Sequence, residues 1–226
     1  MELTVIKKRA IIAASIILLI IAFITAVTCY TRKEVKLKVN AKAECAIRTD
    51  MRKLWSDHAF WTREVIACLV DNAPGKDQAI DRLLKNQDDI GAAIVPYYGD
   101  AAGKELTRLL REHIVVAAQV VVAARDNNTQ ALKIAQIKWN SNADEIAEFL
   151  SKATNVDYSG MKYMMDYHLK LTTYEALSRI NKNYTKNVED FDKVYYEVLE
   201  MSDMISAAIV RQHPDKFQCE PDEEHY

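Results

Sequence analysis

The feature that most constrains this chain is a period. Three of its five histidines, His58, His113 and His168, stand at equal intervals (113 − 58 = 168 − 113 = 55). They occupy comparable strings: "LWSDHAFWT" at 54–62, "LLREHIVVA" at 109–117 and "MMDYHLKLT" at 164–172. In each, two large apolar residues and an acid precede the histidine, and Thr62, Ala117 or Thr172 follows one helical turn on. A second set repeats as well: "NQDDIGAAI" (86–94), "NADEIAEFL" (142–150) and "MSDMISAAI" (201–209). Aligned on their isoleucines, these strings superpose Asp88, Asp144 and Asp203. Self-similarity at a fixed interval marks tandem supersecondary units, each unable to bury its apolar face alone. The expected units are three helical hairpins, with a histidine on the first helix and an aspartate on the second.

Helices follow from what is scarce. The chain has only 5 glycines and 4 prolines, and Pro74, Pro96, Pro214 and Pro221 all fall where helical patterns stop. No segment is β-branched and bounded by turn residues as a strand would be. The fold class is therefore all-α, a six-helix bundle. Its helices are expected at roughly 46–72, 76–95, 101–125, 129–152, 159–182 and 186–212, separated by "DNAPGK", "PYYGD", "RDNN", "NVDYSG" and "NKNYTKN". A net charge of −2 with 27% charged residues gives no field to recruit nucleic acid.

Residues 1–30 stand apart. Ala10 to Cys29 is an uncharged apolar run behind Lys7, Lys8 and Arg9. It is long enough to cross a bilayer core of roughly 30 Å. With no good cleavage site after it, the segment reads as an uncleaved signal anchor, a transmembrane helix tethering the chain to a membrane. Residues 31–45 form a basic linker or helix extension, 46–217 the helical-bundle domain and 218–226 an acidic tail. The short N-terminal tail favours an extracytoplasmic domain, although Arg32, Lys33, Lys36, Lys38 and Lys42 oppose it. Cys45, Cys68 and Cys219 fit no zinc, redox or disulfide pattern.

The histidines have apolar neighbours on their own face, Leu54, Leu109 and Met164 before them and Trp61, Val116 and Leu171 after. They therefore point inward. At 1.5 Å per residue, each histidine and its aspartate lie about 20–28 Å from their shared turn, at nearly one height. The small residues Gly91, Ala147 and Ser206, one turn beyond the aspartates, would leave room for a partner or an ion. Three hairpins around one axis would then hold a belt of three imidazoles and three carboxylates. Two arrangements make such a belt affordable: protonated histidines in ion pairs, or neutral histidines and carboxylates around a transition metal.

The metal set would be His58, His113, His168, Asp88, Asp144 and Asp203, and the ion iron, zinc, copper or manganese. Neither the Glu-x-x-His motif of di-iron bundles nor a His-x-x-x-His spacing is present. The plain alternative is that each His–Asp pair only fixes hairpin register. Asp57 and Glu112 are expected on solvated surface, and Trp55, Trp61 and Trp139 in the core.

The strings "LWSDHAFWTR", "LLKNQDDIGAAIVPYYGDAAGKELTRLLREHI", "NADEIAEFL" and "MSDMISAAIVRQHPDKF" resemble a family of small helical-bundle proteins from prokaryotes, over about residues 50–217. The family's motifs name no chemistry. Some members carry the labels acetylglutamate kinase or glycosyltransferase. Such activities need an α/β fold with glycine-rich phosphate loops, which 5 glycines on helical ground do not supply. The leading expectation is a membrane-tethered domain that handles, senses or stores a metal. The alternative is a non-enzymatic interaction or sensor module with a structural belt. No catalytic residue is identified.

Overall fold

Five α-helices make up the described part of a computed structural model: α1 (Ala41–Asp71), α2 (Lys76–Arg125), α3 (Thr129–Thr154), α4 (Tyr158–Ile180) and α5 (Tyr184–Gln212), followed by a 3-10 turn at Pro214–Phe217. The structure describes residues 21–22 and 41–217, and among them there is no strand. The expected anchor (apart from Ile21 and Ala22), most of the basic linker and the acidic tail lie outside the described residues. Among the described residues, no helix is long and apolar enough to cross a membrane.

The turns carry the period in their backbone. Asn72, Asn127 and Lys182 each adopt positive φ, at 53°, 54° and 57°. In each turn the next N–H, that of Ala73, Asn128 or Asn183, donates to the carbonyl of Cys68, Ala123 or Ser178 at 2.9 Å. This left-handed closure satisfies carbonyls that the helix end would otherwise strand. Asparagine tolerates it better than most residues. Side chains restart the helices: Asn128 accepts from Ala131 N, Asp157 from Ser159 N and Gly160 N, and Asn183 from Lys186 N.

The break expected at "PYYGD" takes another form, so five helices stand where six are expected. Helix α2 continues through Pro96, and only Gly99, at φ 82° and ψ 168°, leaves helical geometry. Glycine alone takes that conformation without strain. The chain reverses there. A Cβ on Gly91 would fall 2.7 Å from the Gly103 carbonyl oxygen and 1.9 Å from Thr107 Oγ1. In a straight helix, residues 91 and 103 would be about 18 Å apart. The two arms of α2 therefore lie back to back, and the space expected beside Gly91 for a partner or ion is filled by the opposing arm.

Neighbouring helices in the chain pack on one another, and α5 packs on α1 to close the ring. Asn86 Nδ2 on the first arm of α2 donates to Leu54 O of α1, and Asn142 Nδ2 on α3 donates to Leu109 O of the second arm. The larger apolar cluster is centred on Ile90, Leu109, Ile146, Met161, Val198 and Ile209. A smaller one, including Val65, Ile66, Leu83 and Val121, sits toward the three period-related turns.

Candidate functional site

Between these two clusters the three histidines meet. His58 comes from α1, His113 from the second arm of α2 and His168 from α4, and all three are buried. The His58 and His168 ring centroids are 6.0 Å apart, and those of His113 and His168 are 6.1 Å apart. The inward expectation for these residues is met, but their partners differ from the aspartates.

Each Nδ1 faces a residue 29 places along the chain: Gln87 at 3.3 Å from His58, Asn142 at 2.8 Å from His113 and Glu197 at 2.8 Å from His168. These three partners share the histidines' period. Keeping that period across the second helices reveals them. Aligning those helices on isoleucines shifts the register to the aspartates.

The proton on each ring follows from its neighbours. Asn142 donates through Nδ2 to Leu109 O, so its Oδ1 is what His113 meets, and Nδ1 of His113 donates. The other nitrogen, Nε2, accepts from the indole N–H of Trp139 at 3.1 Å. His113 is thus a neutral ring with both nitrogens in use. Gln87 gives one amide hydrogen to Leu83 O at 2.8 Å, and its second lies between Asn86 Oδ1 and Nδ1 of His58. His58 accepts there, which puts the proton of its neutral form on Nε2. Glu197, buried like its partner, accepts from His168.

Electrostatics separates the three. Burial, helped by His168 and His113, holds His58 down to about 3. Burial and the His168 charge likewise hold His113 to about 3. Burial also pulls on His168, but the Glu197 carboxylate, by its charge and its hydrogen bond, and Glu175 farther away outweigh it and raise this imidazole above its ordinary value. The layer is therefore two rings that burial keeps neutral beside one that Glu197 biases toward its protonated form. A lone buried charge would be prohibitive, whereas a hydrogen-bonded pair is tolerated.

Asp88, Asp144 and Asp203 lie outside this layer, in ion pairs between successive units. Asp88 accepts from Arg111 at 2.9 Å, Asp144 from Lys162, and Asp203 from Arg48 at 3.0 Å and Arg52 at 2.7 Å. The last pair links α5 to α1, joining the two ends of the ring. At the margin of the apolar stripe a carboxylate keeps partial hydration and finds a cation on the next helix, which is less costly than the axis. The two guanidinium groups hold the Asp203 carboxyl well below the usual range. Asp57 and Glu112 pair at the surface with Lys53 and Arg108, as expected. Trp55 and Trp139 are core residues, and Trp61 is half-buried beneath Arg82.

Among the described residues, no three His, Cys, Asp or Glu side chains are arranged to hold a metal ion. A second buried acid was missed. Glu175 stands two turns beyond His168, in the column of Val65 and Val120. Burial pushes its carboxyl up to about 7, with Arg63 Nη1 only 3.4 Å away pulling the other way. Its Oε2 is buried and finds no hydrogen-bond partner.

Comparison with known family models, curated proteins and solved structures finds no match.

Proposed function

We propose that this chain is a membrane-tethered, non-enzymatic sensor or interaction module built from three repeated helical hairpins, in which the histidine layer is structural. One observation carries this: both ring nitrogens of His113 are committed to protein hydrogen bonds, to Asn142 and from Trp139, leaving no lone pair for a ligand. The layer fixes the register of the first helix of each unit against the second. Hydrogen-bonded polar cores are used in this way elsewhere. The tether is the apolar run from Ala10 to Cys29, with the domain on the extracytoplasmic side.

The rival is a transition-metal site, and one observation favours it. Among the described residues, no hydrogen bond reaches Nε2 of His58 or of His168, and the two rings are 6.0 Å apart. Metal binding there would require His168 to lose the proton that Glu197 stabilises, and His113 to leave Trp139. Elemental analysis of the purified full chain, followed by titration with zinc, iron, copper and manganese, separates the two. A structural layer gives no stoichiometric metal and no binding tighter than micromolar. One metal per chain, lost in His113→Ala, would overturn it. Carbonate extraction of membranes tests the tether, since a soluble chain would be released.

A further inference from the structure

A cavity of about 200 Å³ opens on the turn side of the histidine layer, and no charged side chain lines it. Its base includes Thr62, Ala117 and Thr172, one turn beyond the three histidines, and Trp139, the donor to His113. Its walls are aliphatic, from residues such as Val65, Ile66, Leu83 and Val121. The exposed members of the lining, Gln136 and Leu177, come from α3 and α4, so the mouth lies between those helices.

An apolar cavity of about 150 Å³ stays dry and accepts a benzene-sized molecule. This one has room for a single ring with a small substituent. Two polar atoms at its lining are unsatisfied, since Oγ1 of Thr62 and Oγ1 of Thr172 are buried without a hydrogen-bond partner. Buried hydroxyls are ordinarily paired, and an occupant with one hydroxyl would supply the missing bond. The uncharged lining disfavours an ionised occupant.

We propose that this cavity is a binding site for a neutral, ring-sized apolar molecule bearing one hydroxyl, of the phenol class, with Thr172 as its hydrogen-bond partner. The site does not depend on the membrane tether, and it leaves the structural role of the histidines unchanged. Entry is between α3 and α4.

The test is fluorine NMR of 4-fluorophenol with the full chain in lipid nanodiscs, with empty discs as the reference and 4-fluorobenzoate as the charged control. The expected result is a saturable bound signal for the phenol that empty discs lack and that the benzoate does not give at pH 7. Ala117→Leu and Ala176→Leu fill the cavity from two different helices, and each should abolish the signal while retaining the helical circular-dichroism spectrum. Thr172→Val should weaken 4-fluorophenol about tenfold and leave fluorobenzene unchanged. A signal matched by empty discs, or surviving in a folded cavity-filling variant, overturns the site. Equal effects of Thr172→Val on both probes overturn the hydroxyl assignment.

Discussion

The indole N–H of Trp139 donates to Nε2 of His113 at 3.1 Å, joining α3 to the second arm of α2 inside the core. Because Asn142 already fixes the other nitrogen, this bond completes the ring's hydrogen bonding. Trp139→Phe keeps an aromatic ring but leaves a buried acceptor unpaired, which costs about 1–3 kcal/mol. Urea unfolding measures it. A loss below about 0.5 kcal/mol would mean that the bond contributes nothing.

His168 owes its charge to Glu197. Glu197→Gln removes the counter-charge and gives this unit the residue that Gln87 supplies to His58. With burial then unopposed by Glu197, the His168 titration should drop below the ordinary 6.5. Proton NMR of the ring C–H against pH reads this directly, and a titration that stays raised would remove Glu197 from its role.

Stability should fall steeply in mild acid. His58 and His113, near 3 in the folded chain against 6.5 unfolded, contribute stability that is full above 6.5 and lost as pH falls toward 3. At about 1.4 kcal/mol per pKa unit this amounts to several kcal/mol. His168 works oppositely, its share being full below 6.5 and lost as pH rises through its raised folded value. Denaturation midpoints between pH 4 and pH 7 test the balance, and a flat profile would contradict two buried neutral rings.

Glu175 adds an alkaline counterpart. Its carboxyl, at about 7 folded against 4.5 unfolded, favours folding below 4.5 and loses that contribution as pH climbs to 7. Glu175→Gln should therefore stabilise the protein by roughly 2 kcal/mol at pH 8 and by little at pH 4. Equal effects at the two pH values would show that the carboxyl titrates normally.

Asp203 should outweigh its two counterparts. It receives two forked guanidinium groups and is only a quarter exposed at 24%, whereas Asp88 and Asp144 each meet one cation at 39% and 46%. Asp203→Asn is expected to cost about 1–2 kcal/mol, and Asp88→Asn or Asp144→Asn no more than about 0.5. Chemical denaturation of the three variants ranks them, and equal losses would remove the distinction between the ring-closing pair and the others.

The helical class, the turn regions and the inward histidines were legible because they rest on local signals: apolar periodicity, turn asparagines and a strict interval. The partners of the histidines were less legible. Gln87, Asn142 and Glu197 are three different residue types, so no single type marks their column, while three aspartates one to six places away stand out by identity. Which side of a stripe a residue faces depends on a shift of one or two positions, about 100° per residue around a helix. Gly99 raised a similar difficulty. "PYYGD" reads as an end of helix, but one glycine turned the chain while Pro96 stayed within helical geometry.

The most direct measurement is a long-range proton–nitrogen correlation spectrum of the chain labelled with nitrogen-15 in histidine, at pH 6, before and after adding zinc. His113 should appear as the neutral ring protonated on Nδ1, His58 as the neutral ring protonated on Nε2 and His168 as doubly protonated, with no change on adding the metal. His113 protonated on Nε2, or a zinc-induced shift of the ring nitrogens, would contradict the hydrogen-bonded layer and restore a ligand role to the histidines.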